Sequence, residues 1–195
     1  MTSAAVRVAP LATCRLQPHP QTPCDVVAEV TVDVGVAAGG VLALRYAIVG
    51  ERDRLRIPAA GASLDPERLW AHTCCELFVA PATGAGYVEW NFSPSGQLAR
   101  FAFATYRERI ASAQSTVAGP TVTLQDGALV LEVSVPLPPG IGATTGVSLS
   151  AVIEDASGAL SYWALRHPCD RPDFHHPESF ALALTLGPPV AIVHR

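Results

Sequence analysis

Apolar and polar residues alternate one for one along Val26–Val36, and hardly any segment of the chain shows a competing helical repeat. A period of two places Val26, Ala28, Val30, Val32, Val34 and Val36 on one face of a strand, with Glu29, Thr31 and Asp33 on the other. After Ala38-Gly39-Gly40 the pattern returns over Val41–Val49, with Leu42, Leu44, Tyr46 and Ile48 aligned, which predicts a hairpin. The same period recurs at Leu11–Gln17, in three runs within Leu69–Phe103 (with turns at Thr83-Gly84 and Pro94-Ser95-Gly96), and in Phe180–Leu186. Thr121–Leu124 and Leu129–Val135 flank Asp126-Gly127, and Val147–Ile153 and Leu160–Leu165 flank Ser157-Gly158, so each pair predicts a further hairpin. Asp65-Pro66-Glu67 starts one helical turn leading into Leu69-Trp70, Ala104–Ala113 has the composition of a short helix or loop, and Pro136–Thr145 is a loop. About ten short strands predict an all-β fold, an antiparallel β-sandwich of immunoglobulin-like or jelly-roll type; a barrel is the alternative closure. Neither an internal repeat nor a linker divides the chain, so residues 1–195 are expected to form a single domain.

Composition narrows what such a sandwich can do. Hydrophobic residues make up 49% and charged residues 15%, enough for a sizeable core. All 13 basic residues are arginine, which excludes Schiff-base lysine chemistry and a phosphate-loop lysine. A net charge of -4 argues against nucleic acid; Arg52, Arg54 and Arg56 alternate, but Glu51 and Asp53 dilute them. Prolines interrupt the long uncharged stretches at Val133–Ile153 and Ser179–His194, so neither reads as a membrane span, and the N-terminus lacks a secretion pattern. The expectation is a soluble cytoplasmic protein. Its five cysteines read as free thiols, with Cys74 and Cys75 pointing to opposite faces of one strand; disulfides in an exported chain are the other reading.

The central stretch, Leu69–Phe103, holds most of the candidate site. Glu76 lies among Cys75, Leu77 and Phe78, and a carboxylate so desolvated needs a partner or a proton. With Arg45 or Arg100 it would form a buried ion pair; otherwise it would accept hydrogen bonds from ligand hydroxyls or hold a structural cation. Tyr87, Glu89 and Asn91 share a face that suits a polar ring such as a sugar, or that is an ordinary solvated face. Trp70 and Trp163 border loops and would either stack on a ligand or anchor the core, whereas Trp90 alternates with Val88 and Phe92 and reads as core. Ser134, Ser148, Ser150, Ala181 and Ala183 form small-residue faces, either a shallow site or a surface covered by a loop. The polar segment Arg166–Glu178 contains Arg166, His167, Asp173, His175 and His176 in a spacing that matches no zinc pattern, and it could close over a ligand. No nucleophile elbow is present, His72 is poorly placed as a base for Cys74 or Cys75, and Gly84-Ala85-Gly86 opens a strand rather than a helix. Glu76 and Glu89, if cross-strand neighbours, would imitate a glycosidase pair.

LWAHTCCELFVAP, followed by YVEWNFSPSGQLARFAF, resembles the DOMON-like superfamily, which includes family 9 carbohydrate-binding modules. The matching positions are Trp70, Glu76, Phe78, Tyr87, Asn91 and Gly96. The segment WALRHPCDRPDFHHPESFALAL is similar to the ending of a bacterial DOMON-like group. The resemblance covers about residues 25–187, taken as the domain core, and implies a sandwich that binds sugars or haem. One departure is that His72 or Thr73 stands where an acidic residue often precedes the glutamate strand. The leading expectation is a non-enzymatic domain holding a small polar ligand, a carbohydrate or derivative, on a concave sheet face. Its contacts would come from Trp70, Glu76, Tyr87, Glu89, Asn91, Trp163, Arg166, His167 and His175, with no cofactor. The alternatives are haem held by His72, His167, His175 or His176, an enzyme using the His167–His176 loop with or without a metal, and an interaction subunit with no small ligand.

Overall fold

A computed structural model describes residues 9–37, 39–81, 84–111, 115–125, 127–138 and 144–185. Ala38, Thr83, Asp126, Leu186, much of the expected loop at Pro136–Thr145 and the far end of Ser179–His194 lie outside these residues. The described chain forms two antiparallel sheets. The first contains β1 (Ala12–Pro18), β2 (Val27–Ala37), β3 (Val41–Gly50), β8 (Thr121–Gln125) and β9 (Ala128–Pro136), in the order β1-β2-β3-β9-β8. The second contains β4 (Cys74–Pro81), β5 (Tyr87–Phe92), β6 (Leu98–Thr105), β7 (Glu108–Ile110), β10 (Thr144–Glu154), β11 (Leu160–Ala164) and β12 (Leu182–Thr185). Its order is β7-β6-β5-β4-β10-β11, and β12 pairs with the start of β10. The first strand belongs to both sheets: Ala12–Leu16 pair with β2, then Gln17 and Pro18 pair with β11. Among the described residues the end strands β7 and β8 do not pair with each other, so the fold is a sandwich rather than a closed barrel.

Alternation sets what lies between the sheets. Leu16, Val30, Val32, Val34, Leu42, Leu44, Tyr46 and Ile48 from the first sheet meet Cys75, Leu77, Val88, Trp90, Phe92, Leu149, Ala151 and Trp163 from the second in one buried cluster. At about 25 cal/mol per Å² of apolar surface buried, this layer dominates the stability of the fold. Across it, the Tyr46 hydroxyl donates to the Glu76 carbonyl at 2.6 Å, tying β3 to β4.

Three local expectations need correction. Ala28 does not align with Val30 but is exposed, because a bulge between the Val27–Gly50 and Glu29–Val49 pairs inserts a residue. The segment after Ala104 is not helical: it turns through Arg107, at φ 58°, and returns as β7. The last strand is Leu182–Thr185, shorter than Phe180–Leu186, and the total is twelve strands rather than about ten. The helical turn expected after Asp65 is a short 3-10 helix at Pro66–Ala71, started by the Asp65 side chain accepting from the Glu67 amide.

Candidate functional site

The face of the second sheet turned away from the first carries a second apolar cluster and, within it, the candidate site. Strand alternation places Cys74, Glu76 and Phe78 of β4, and Tyr87, Glu89 and Asn91 of β5, on this face. Pairing sets Glu76 opposite Asn91 on one side and Ser150 on the other, Glu89 opposite Phe78 and Phe101, and Tyr87 opposite Phe103. The two glutamates are therefore diagonal cross-strand neighbours on one surface. Pro66–Ala71 packs over one part of this surface through Leu69, and the 165–181 segment covers another through Phe174, His175 and Phe180.

Between these covers lies a pocket of about 420 Å³, lined by Glu67, Trp70, Glu76, Glu89, Phe101, Phe103, Arg107, Arg109, Val152, Tyr162, Pro172, Phe174 and His175. Glu76 is 3% exposed and Glu89 5%. Among the described residues neither forms an ion pair with an arginine. Arg45 pairs with Asp33 and Glu132 on the first sheet, and Arg100 lies over the Trp90 ring. Glu76 accepts one hydrogen bond, from Ser150 Oγ at 3.1 Å, and Glu89 accepts one from Asn91 Nδ2 at 2.6 Å. Burial, reinforced by Glu89, pushes the Glu76 carboxyl well above the usual carboxylate range. Burial likewise raises Glu89 to about 7, against the opposing pull of Asn91, Arg107 and Arg109. Near neutral pH the pocket floor therefore holds a protonated Glu76 beside a Glu89 that is close to its own titration midpoint.

His175 Nε2 approaches Glu89 Oε2 at 3.8 Å, but this is not an ion pair. Desolvation, with Arg107 adding repulsion, lowers the imidazole to about 4, while burial raises Glu89 to about 7, so the two are charged together in only a small fraction of molecules. Tyr87 Oη accepts from the Arg107 amide at 3.1 Å and shares a hydrogen bond with His175 Nδ1 at 2.8 Å, the tautomer of the neutral ring deciding which of the two donates. Nε2, on the other side of the ring, faces Glu89.

Two arginines form the rim, and each already has a carboxylate. Arg107 donates to Asp173 at 2.9 Å, and the same carboxylate accepts from Tyr106 at 2.6 Å and from the His175 amide at 3.1 Å. Although desolvation opposes it, this set holds Asp173 below its ordinary range and fastens the 165–181 segment to the β6–β7 turn. Arg109 forms a two-pronged pair with Glu67 and lies 4.1 Å over the Phe101 ring. Trp70, 44% exposed, stands at the C-terminal end of the 3-10 helix with the Arg68 guanidinium over its ring.

Of the nine residues expected to contact a ligand, Trp70, Glu76, Glu89 and His175 line the pocket. Tyr87 and Asn91 stand immediately behind it, holding His175 and Glu89. The remaining three lie elsewhere. Trp163 is in the core between the sheets, where its indole N–H donates to Ser161 Oγ, because position 163 shares its strand face with Ser161. Arg166 pairs with Glu178 on the surface, and His167 bonds the Gln17 carbonyl beside His19. Ser148 and Ser150 are buried on the site face, whereas Ser134 is exposed on the other sheet.

The rim arginines, Glu67 and the aromatic residues Phe101, Phe103, Tyr162 and Phe174 are site residues not expected from sequence. Phe101 and Phe103 were within reach: the hairpin register across Ser95-Gly96 sets them opposite Glu89 and Tyr87. The others come from segments distant in sequence and carry no local signal.

The residues fit haem poorly. Among the described residues His175 is the histidine that lines the pocket, and its two ring nitrogens already face Tyr87 and Glu89; His72 is held by Glu154, and His176 caps the Glu178 amide. Among the described residues no group of three or more metal-ligating side chains converges, and no helix is long and apolar enough to cross a membrane.

No family model matches the chain, and no curated protein matches it by sequence. Among solved structures, it is similar to a "putative carbohydrate-binding protein" from Bacteroides uniformis, with a TM-score of 0.62 over 86% of this chain and 83% of the other, at 17% identity. At that identity the likeness is one of fold.

Proposed function

We propose that this chain is a binding domain whose pocket on the second sheet holds a small, polar, ring-shaped ligand, a carbohydrate or carbohydrate derivative. The observation that carries the reading is the convergence, in one pocket, of a half-exposed indole and two buried carboxyl groups. An indole face takes the apolar side of a sugar ring, while carboxyls that lack internal partners for all their oxygens take its hydroxyls. The fold likeness to a protein named for carbohydrate binding supports the same reading. We place the protein in a reducing cytoplasm on the strength of its five free thiols.

Tryptophan fluorescence tests this directly. Trp90 and Trp163 are buried in the core, so a ligand in the pocket perturbs Trp70. Titration with a broad glycan panel is expected to give a saturable change for at least one sugar, lost in Trp70→Phe. Silence of the whole panel at millimolar concentration overturns the proposal.

A second reading rests on the two diagonal carboxyls: Glu76, the more deeply buried and more strongly raised, would serve as a glycosidase acid, and Glu89, which ionises near 7, as its carboxylate partner. Chromophore release from aryl glycosides, abolished by Glu89→Gln, would establish it.

A further inference from the structure

The pocket contains more acid than its own cations can balance. Arg109 is matched by Glu67 and Arg107 by Asp173, and His175 is neutral. What remains is Glu76 and Glu89, with no lysine anywhere in the chain to meet them. Glu76 is 97% buried (3% exposed), opens on the pocket and receives a single hydrogen bond, from Ser150 to one oxygen; its other oxygen takes none from the described residues. Burying a carboxyl without a cation is costly, and an apolar residue of similar size there would stabilise the fold more. The walls beside these acids are aromatic: Trp70, Phe101, Phe103, Tyr162 and Phe174. Paired acids under aromatic faces form an environment complementary to a positive charge, because ring faces attract cations and carboxylates accept charge-assisted hydrogen bonds.

We propose that the ligand is a cationic amine, and specifically an amino sugar bound as its ammonium form, with the ammonium group on Glu76 and Glu89. This rests on the saccharide reading of the pocket. The charge balance is simple. An acid that is protonated in the empty pocket releases its proton to solvent as the ammonium arrives, leaving a carboxylate–ammonium pair. Neutral sugars lack that partner and leave the acids protonated.

The test compares glucosamine, N-acetylglucosamine and glucose by Trp70 fluorescence in slightly acidic buffer, where glucosamine is an ammonium. A charge-assisted hydrogen bond in a desolvated site is worth enough to favour glucosamine by about tenfold or more. Glu89→Gln and Glu76→Gln, checked for folding by their thermal transitions, are expected to remove that preference and keep residual affinity for the neutral sugars. Equal binding of all three sugars, or a preference that survives both substitutions, overturns the amine assignment and leaves the saccharide reading intact. Failure of every sugar to bind overturns both.

Discussion

At the scale of single residues, the floor of the pocket trades stability for chemistry. Glu89 has its folded pKa raised from 4.5 to about 7, so the folded chain holds this proton more tightly than the unfolded one. Its contribution to stability therefore falls as pH rises between about 4.5 and about 7, by up to about 3 kcal/mol in all. His175 works in the opposite direction. Its pKa is lowered from 6.5 to about 4, so its share of stability rises with pH over that interval and masks part of the decline. Replacing Glu89 by Gln keeps the shape and removes only the first effect. The melting temperature of Glu89→Gln should lie near that of the parent in acid and rise above it in mild alkali. A gap that stays constant across the range would show that Glu89 does not titrate as its burial implies. The sequence made Glu76 legible as a desolvated carboxyl in need of a partner or a proton. It did not reveal that both suggested arginines are engaged elsewhere, because that depends on which sheet each strand joins.

At the scale of elements, the strands were legible wherever alternation was unbroken, as in Val41–Val49 and Leu129–Val135, since one solvated face leaves the pattern visible. It misled at Ala28, where a bulge shifts the phase without changing the composition. The bulge depends on Gly50: a Cβ there would collide with the Val26 carbonyl, a backbone atom with little freedom to move. Gly50→Ala is expected to cost about 1–3 kcal/mol, as overpacking does, read as a lower denaturant midpoint with an unchanged slope. Parental stability in that variant would mean that β2 and β3 can pair without the bulge. Strand β7 escaped notice for a different reason. Three exposed residues, Glu108–Ile110, carry no burial pattern, and a non-glycine residue at φ 58° leaves little trace in composition. Yet that turn supplies Arg107 and leads into Arg109, so the rim of the site was the least readable part of it.

At the scale of the whole molecule, the two sheets are one cooperative body. The first strand is shared between them, the Tyr46–Glu76 bond crosses the interior, and a single cluster fills the space between. Heat should therefore unfold the sandwich in one transition, with calorimetric and van't Hoff enthalpies equal; two resolvable peaks would contradict this. The same topology governs access to the pocket. The 165–181 segment leaves β11 just after Ala164, beside Ser150, and re-enters as β12 with Leu182 beside Val147, so both ends are sewn to the same strand, β10. The Asp173–Arg107 pair stitches its middle to the opposite edge. Cloth hemmed on both sides cannot flap. The mouth is therefore expected to keep one width whether empty or filled, and arrival of a guest should follow a single exponential whose rate climbs in proportion to concentration, with no slower rearrangement behind it.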